Sequence, residues 1–154
     1  LNNPVTNLPD GPLVDERLNE CLQKPIWTML ILSLENLDAF REAYGFLASD
    51  DVLRAVSLMI NNIIRDLGSV EDFIGHLGPA VFVLITVQER AASLQERLCS
   101  RLEQSLDYFY PIKDREKSAM HGKRLVFKIG ILQSSDGPFT SVDDLKLSLL
   151  RKKQ

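Results

Sequence analysis

The ten residues IWTMLILSLE, Ile26–Glu35, limit what this chain can fold into more than any other stretch. The run is far shorter than the roughly 18 apolar residues of a membrane-spanning helix. It is apolar at successive positions rather than alternate ones, the pattern of a central strand covered on both faces. Such a strand needs helices on two sides of its sheet, and the flanking sequence supplies them. Upstream, Asp10–Gln23 places Leu13, Val14, Leu18, Cys21 and Leu22 near a helical stripe, and Pro25 ends it. Downstream, Asn36 is expected to cap a short helix through Tyr44 that Gly45 stops. Ser49 or Asp50 is expected to cap a longer helix, striped by Val52, Leu53, Val56, Ile60, Ile63, Ile64 and Leu67 and ended by Gly68.

Two short strands follow, about Asp72–Leu77 and Ala80–Val87, joined at Gly78-Pro79. Gly78 and Pro79 suit the two centres of a type II′ turn, with the glycine first. A helix from about Glu89 to Phe109 buries Leu94, Leu98, Leu102, Leu106 and Phe109. The polar stretch YPIKDREKSAMHGKR, 110–124, is patternless and reads as a loop or loose hairpin, with KDREK a solvated mixed-charge run or else a partner patch. LVFKIGIL is another strand. SVDDLKLSLLRKK opens a last helix at Ser141, with Asp144 in the place of a capping-box acid. The order α-β-α-α-β-β-α-β-α describes one α/β (α+β) domain over 1–154, with a mostly antiparallel mixed sheet flanked by helices.

Charge and cysteines exclude several classes. A net charge of -3 argues against a general nucleic-acid binder. The polar, Pro-rich start LNNPVTNLPDGP is not a signal peptide, and a cytoplasmic location is expected. Cys21 and Cys99 lie far apart with no CxxC or Cys/His cluster, so they read as reduced packing residues, with a disulfide as the alternative. His76 and His121 have no metal-ligand spacing and read as surface or turn residues; Trp27 and Phe40 read as core. No GxSxG, P-loop, HExxH or GxGxxG is present. The chain starts without Met and ends at RKKQ, which suggests a fragment of a larger multidomain signalling protein.

With that order established, several stretches resemble one family. NPVTNLPDGPLVDERL is similar to the DxLTGLPNRxxFxxxL opening of GGDEF domains, the diguanylate cyclases. LILSLENLDAFREAYGFLASDDVLRAV resembles their DxDxFKxxNDxxGHxxGDxxL segment, and HLGPAVFVLI falls where they have RxGGDEFxxLL. LVFKIGIL is similar to their xTxSxGIA strand, and SVDDLKLSLL to the start of their terminal helix. The resemblance covers nearly the whole chain and implies the nucleotide-cyclase palm with its ferredoxin-like core.

The resemblance also says what the chemistry would require. A diguanylate cyclase joins two GTP molecules into cyclic di-GMP by attack of a 3′ hydroxyl on an α-phosphate. Divalent metals held by carboxylates neutralise the charge. The family takes those carboxylates from the first Asp of DxD and the acid before Phe in GGDEF. Here Ser33 and Val81 stand in those places, with Glu35 the acid left on that strand end. The signature itself has become Gly78, Pro79, Ala80, Val81, Phe82. The guanine-reading Asn falls at Arg41, its partner Asp is kept as Asp50, and the lysine of FK becomes Asp38. Of the inhibitory RxxD site only Asp72 survives, its Arg replaced by Ser69.

On this resemblance the leading expectation is a catalytically inactive GGDEF-like domain serving as a signalling or interaction module in a bacterial sensory protein, without a cofactor. Asp50 reads guanine, with Arg41 beside it, or merely caps its helix; Glu35 holds a metal or is a solvated carboxylate. Two alternatives follow. One is a non-catalytic receptor for GTP or cyclic di-GMP. The other is a cyclase with shifted ligands, Glu35 and Asp38, which alone would require Mg²⁺. The expected partners are neighbouring domains of the same chain or another protein, a second copy of the chain, or a guanine nucleotide. Nucleic acid and membrane insertion are not expected.

Overall fold

The computed structural model describes residues 2–116 and 123–153. Its helices are α1 (Pro12–Leu22), α2 (Leu37–Tyr44), α3 (Phe46–Leu67), α4 (Gln88–Leu106) and α5 (Val142–Lys152). Its strands are β1 (Thr28–Glu35), β2 (Phe73–Gly78), β3 (Val81–Thr86) and β4 (Val126–Gln133). The element order is the one the periodicities imply. The strands form one sheet in the order β2-β3-β1-β4, and all three pairings are antiparallel.

The central strand is buried from Thr28 to Leu34. Its side chains alternate between two cores, as the two-residue period of a strand demands. Leu30, Leu32 and Leu34 pack with Phe40, Val56, Ile60, Leu94 and Leu98 beneath α2, α3 and α4. Met29 and Ile31 pack on the other face with Val14 and Leu18 of α1 and Leu145 and Leu149 of α5. Each buried aliphatic side chain contributes about 1.5–3 kcal/mol by leaving water. Trp27 is buried against Phe139, and Phe40 against Tyr44 and Tyr110, so both aromatic residues are core.

Several helix and turn details differ from expectation. α3 begins at Phe46, not after Ser49 or Asp50. Gly45, at φ 94, both ends α2 and opens α3, a conformation that glycine adopts without strain. Neither Ser49 nor Asp50 is therefore a cap. Ser49 is buried and its hydroxyl donates to the Phe46 carbonyl at 3.1 Å. Asn36 does precede α2, but at φ 70 its amide turns away and donates to the Arg124 carbonyl at 2.8 Å. Ser141 caps α5 by accepting from the Asp144 N–H, while the Asp144 carboxylate accepts from the Thr140 N–H instead of closing a box. α4 stops at Leu106 and tightens into a 3-10 turn over Asp107–Phe109. Both cysteines are free; burial pushes their thiols up from the ordinary range.

Among the described residues of the 110–124 stretch, Asp114 accepts from the Tyr44 hydroxyl at 2.6 Å and Arg115 donates to the Tyr110 carbonyl. The start of KDREK is thus tied to the body, while its last residue, Lys117, lies outside the described residues, as does His121.

Candidate functional site

The hairpin between β2 and β3 sits beside the end of β1, because β3 pairs with β1 in a register that sets Ser33 opposite Val81. On its other side Ser33 faces Lys128 of β4. Val81, Ser33 and Lys128 therefore form one row across three strands. Glu35, two residues further along β1, lies on the same face.

The hairpin turn is not type II′. Its two central residues are Pro79 and Ala80, and neither Gly78, Pro79 nor Ala80 has positive φ. Pro79 at the first centre presets the φ of a type I turn. Such a turn matches strand twist poorly, and the ladder compensates with an extra residue, Leu77, between His76 and Gly78 on β2. The Ala80 carbonyl accepts from the Leu34 N–H at 2.9 Å, tying the turn to β1 through backbone alone.

His76 is no surface residue. It is 2% exposed, its ring lies 4.7 Å from that of Phe82, and both nitrogens are bonded. Nδ1–H donates to the Gly78 carbonyl at 2.9 Å, leaving Nε2 to accept from the Thr6 hydroxyl at 2.6 Å. The His76 N–H also donates to the Pro9 carbonyl, so this residue pins the N-terminal loop to the hairpin. Alternation along the strand places it inward, but its partners Thr6 and Pro9 are distant in sequence.

Glu35 is not a free solvated carboxylate. Its Oε2 accepts from the Ser33 hydroxyl and lies 3.4 Å from the Lys153 ammonium at the end of α5. The Ser33 bond first, then the charges of Lys153 and Lys128, hold its carboxyl below the usual range. Sequence reasoning gave no sign of Lys153 here, since 118 residues separate the pair. A divalent cation at this row would meet a hydroxyl already donating to Glu35, an isopropyl group and one ion-paired carboxylate. Mg²⁺ requires several hard oxygens in octahedral order, so these residues do not fit it. Asp38 is exposed in the first turn of α2. Among the described residues, no three His, Cys, Asp or Glu side chains converge to hold a metal.

Where α2 hands over to α3, Arg41 reaches Ser49, the residue before Asp50. The Arg41 Nε donates to the Ser49 hydroxyl at 3.4 Å, and its guanidinium lies 5.3 Å from the Phe46 ring centre. Asp50, next along α3, has no hydrogen-bond or ion-pair partner among the described residues.

Asp72 stands apart from this cluster, in the turn before β2. Its carboxylate is 4% exposed and accepts from the Ser69 N–H at 3.2 Å and the Thr86 hydroxyl at 3.1 Å, with Arg90 at 3.4 Å. It clamps the α3–β2 turn to the end of β3 and the start of α4.

Residues 3–138 match the family described as diguanylate cyclase, GGDEF domain. The chain belongs to the GGDEF family. A bifunctional diguanylate cyclase/cyclic di-GMP phosphodiesterase, MucR of Pseudomonas aeruginosa, is 31% identical over an alignment covering 68% of this GGDEF domain and 16% of that protein. The domain thus spans about a sixth of the length of that relative. Among solved structures, the FimX GGDEF domain of Pseudomonas aeruginosa is similar at TM-score 0.72 and 16% identity, over 98% of this chain and 90% of that one. A Vibrio cholerae LapD S helix-GGDEF-EAL structure bound to c-di-GMP is similar at TM-score 0.71 and 18% identity, over 97% of this chain and 32% of that one. At those identities the structural likeness shows the cyclase-like palm fold, an antiparallel four-stranded sheet with helices around it. Among the described residues no helix is long and apolar enough to cross a membrane.

Proposed function

We propose that this GGDEF domain is catalytically inactive and serves as a signalling or interaction module within a larger bacterial sensory protein in the cytoplasm. The observation that carries this reading is the register pairing of Ser33 with Val81. The family's two metal carboxylates would face each other across that ladder; here a hydroxyl faces an isopropyl group. Losing one essential group of a coupled site already removes most activity. The shifted-ligand cyclase gains no support from Glu35, whose Oε2 is engaged by Ser33 and Lys153, nor from the exposed Asp38.

As a module, the domain would act by docking a neighbouring domain, another protein or a second copy of itself. Phe46 and Leu47, both turned to solvent in the first turn of α3, offer an apolar contact point. The relatives are in keeping with such a role: one is a diguanylate cyclase, SiaD, solved with its activator SiaC. The test is purified domain with GTP and Mg²⁺ or Mn²⁺, assayed for cyclic di-GMP. No product is expected; turnover like that of active cyclases would overturn the reading.

A second reading, a guanine-nucleotide receptor, is favoured by Asp50. With the cap role gone, its unpartnered carboxylate is free to accept from the N1–H and N2–H groups of guanine. Calorimetric titration with GTP, GDP and cyclic di-GMP tests it. Asp50→Ala should abolish binding while leaving stability within about 0.5 kcal/mol, as for a surface change outside any cap.

A further inference from the structure

We propose that the Lys153 ammonium takes, at Glu35, the place a divalent cation would hold, so that this end of the sheet is neutralised from within and recruits no metal. The inference rests on the inactive reading above and explains what replaced the metal. Ser33 and Lys153 both direct their hydrogens at one oxygen, Oε2 of Glu35. Lys128 stands beside Ser33 in the ladder, and Val81 opposite it supplies no oxygen. One carboxylate therefore sits among two ammonium groups, and an approaching cation meets net positive charge.

The fold holds Lys153 in that position. Leu145 and Leu149 anchor α5 against the sheet with no exposed surface. At Gly130 of β4 the missing side chain admits the last turn of α5. A Cβ there would overlap the Lys152 carbonyl oxygen and stand 2.5 Å from its carbon and 3.0 Å from its Cβ. Lys153 follows directly on that contact. Gly130 pairs with Ile31 and Lys128 with Ser33 in the same ladder, so the helix end seats two positions from the row that Lys153 must reach. Lys153 and Glu35 are each about a third exposed, side chains held at the rim of the sheet rather than loose in solvent.

The experiment measures Mn²⁺ binding by water-proton relaxation, without nucleotide, on the 154-residue chain. The wild-type protein should bind no Mn²⁺ at millimolar concentration. Ser33→Asp with Val81→Glu restores two carboxylates across the ladder. That double variant should bind Mn²⁺ at least tenfold more weakly than the same variant carrying Lys153→Met. Equal affinity with and without Lys153, or Mn²⁺ bound by the wild type at Glu35, would overturn the proposal. Should the restored variants not fold, the wild-type background still decides. Lys153→Met, and Gly130→Ala by unseating α5, should each move the Glu35 carboxyl titration up in carboxyl-detected NMR. An unmoved titration in both overturns it. Because no GTP is present, these outcomes are separate from the cyclase assay. Cyclic di-GMP formation would sink the inactive reading and leave the lysine competition to stand or fall alone.

Discussion

Asp72 is where the family resemblance and the geometry make opposite demands. As a relic of an inhibitory ligand site, its carboxylate would be dispensable to the fold; as a clamp, it would not. Replacing Asp72 by Ala removes the acceptor for the Ser69 N–H, the Thr86 hydroxyl and Arg90 at once. A buried donor left unpaired costs about 1–3 kcal/mol. The Thr86 hydroxyl can rotate toward another acceptor, and the Arg90 side chain, 32% exposed, can reach water. The ion-pair share is therefore held to at most about 1 kcal/mol by solvent screening. The total expected loss is about 2–4 kcal/mol, a fall in melting temperature on the order of 5–15 °C for a domain of this size. Asp72→Asn keeps one acceptor oxygen and should lose about half as much. Urea unfolding followed by circular dichroism measures both, with the slope unchanged and the midpoint lowered. The Asp72→Ala, Thr86→Val cycle should show coupling of about 0.5–1.5 kcal/mol, since both variants break one bond. The clamp reasoning is refuted if both Asp72 variants unfold within 0.5 kcal/mol of wild type, above all if they also change cyclic di-GMP binding.

Tyr44→Phe deletes the 2.6 Å bond to Asp114 and should cost about 1 kcal/mol in urea. Burial, then the Asp114 carboxylate, pushes the Tyr44 hydroxyl up to about 12. Its contribution is therefore present below the unfolded value near 10 and lost as pH rises through about 12; wild type should lose its advantage over the Phe variant across that window. Glu35 is held below the ordinary carboxylate range by the Ser33 hydroxyl and Lys153, so its contribution is present above about pH 4.3 and lost as pH falls through the folded value. Glu35→Gln should flatten that acid limb of the urea midpoint, by under about 1 kcal/mol because the pair is partly solvated. His76→Phe keeps ring packing but removes the Thr6 and Gly78 bonds. Amide exchange should accelerate at Leu8 and Val81 while Ile129 stays protected; uniform exchange across all three would contradict the pinning role.

What could be read from sequence divides by how local the cause is. The stripe Val52, Val56, Ile60, Ile63 marks α3 because period 3.6 is written in neighbouring residues, and the density of IWTMLILSLE marks β1 for the same reason. Ser49 and Asp50 are good caps on any scale, yet α3 starts before them because one glycine at φ 94 suffices for both helix ends. Gly-Pro fits a II′ turn locally, yet the bulge at Leu77 shifts the centres by one residue. The inward His76, the clamp at Asp72 and the Glu35–Lys153 pair rest on contacts across 14 to 118 residues, which no local pattern encodes.

If the domain is inactive as proposed, the same distinction explains how it keeps its shape without its chemistry. At the hairpin, the fold uses backbone and two inward rings: the Ala80 carbonyl bonds Leu34, His76 bonds Gly78, and Phe82 is fully buried. The side chains at 79, 80 and 81 carry none of those bonds. Pro79 gives up an N–H only at the first centre of a turn, where none is required for the turn bond. Val81 adds an apolar side chain to a row already facing the α1–α5 core. An acid at 81 would instead place a negative charge beside the buried Ser33, stable only with a cation to neutralise it. On the inactive reading, the substitutions that would remove a metal also remove the need for it. Glu35, the one carboxylate left, is satisfied by a lysine that the seat at Gly130 brings within 3.4 Å.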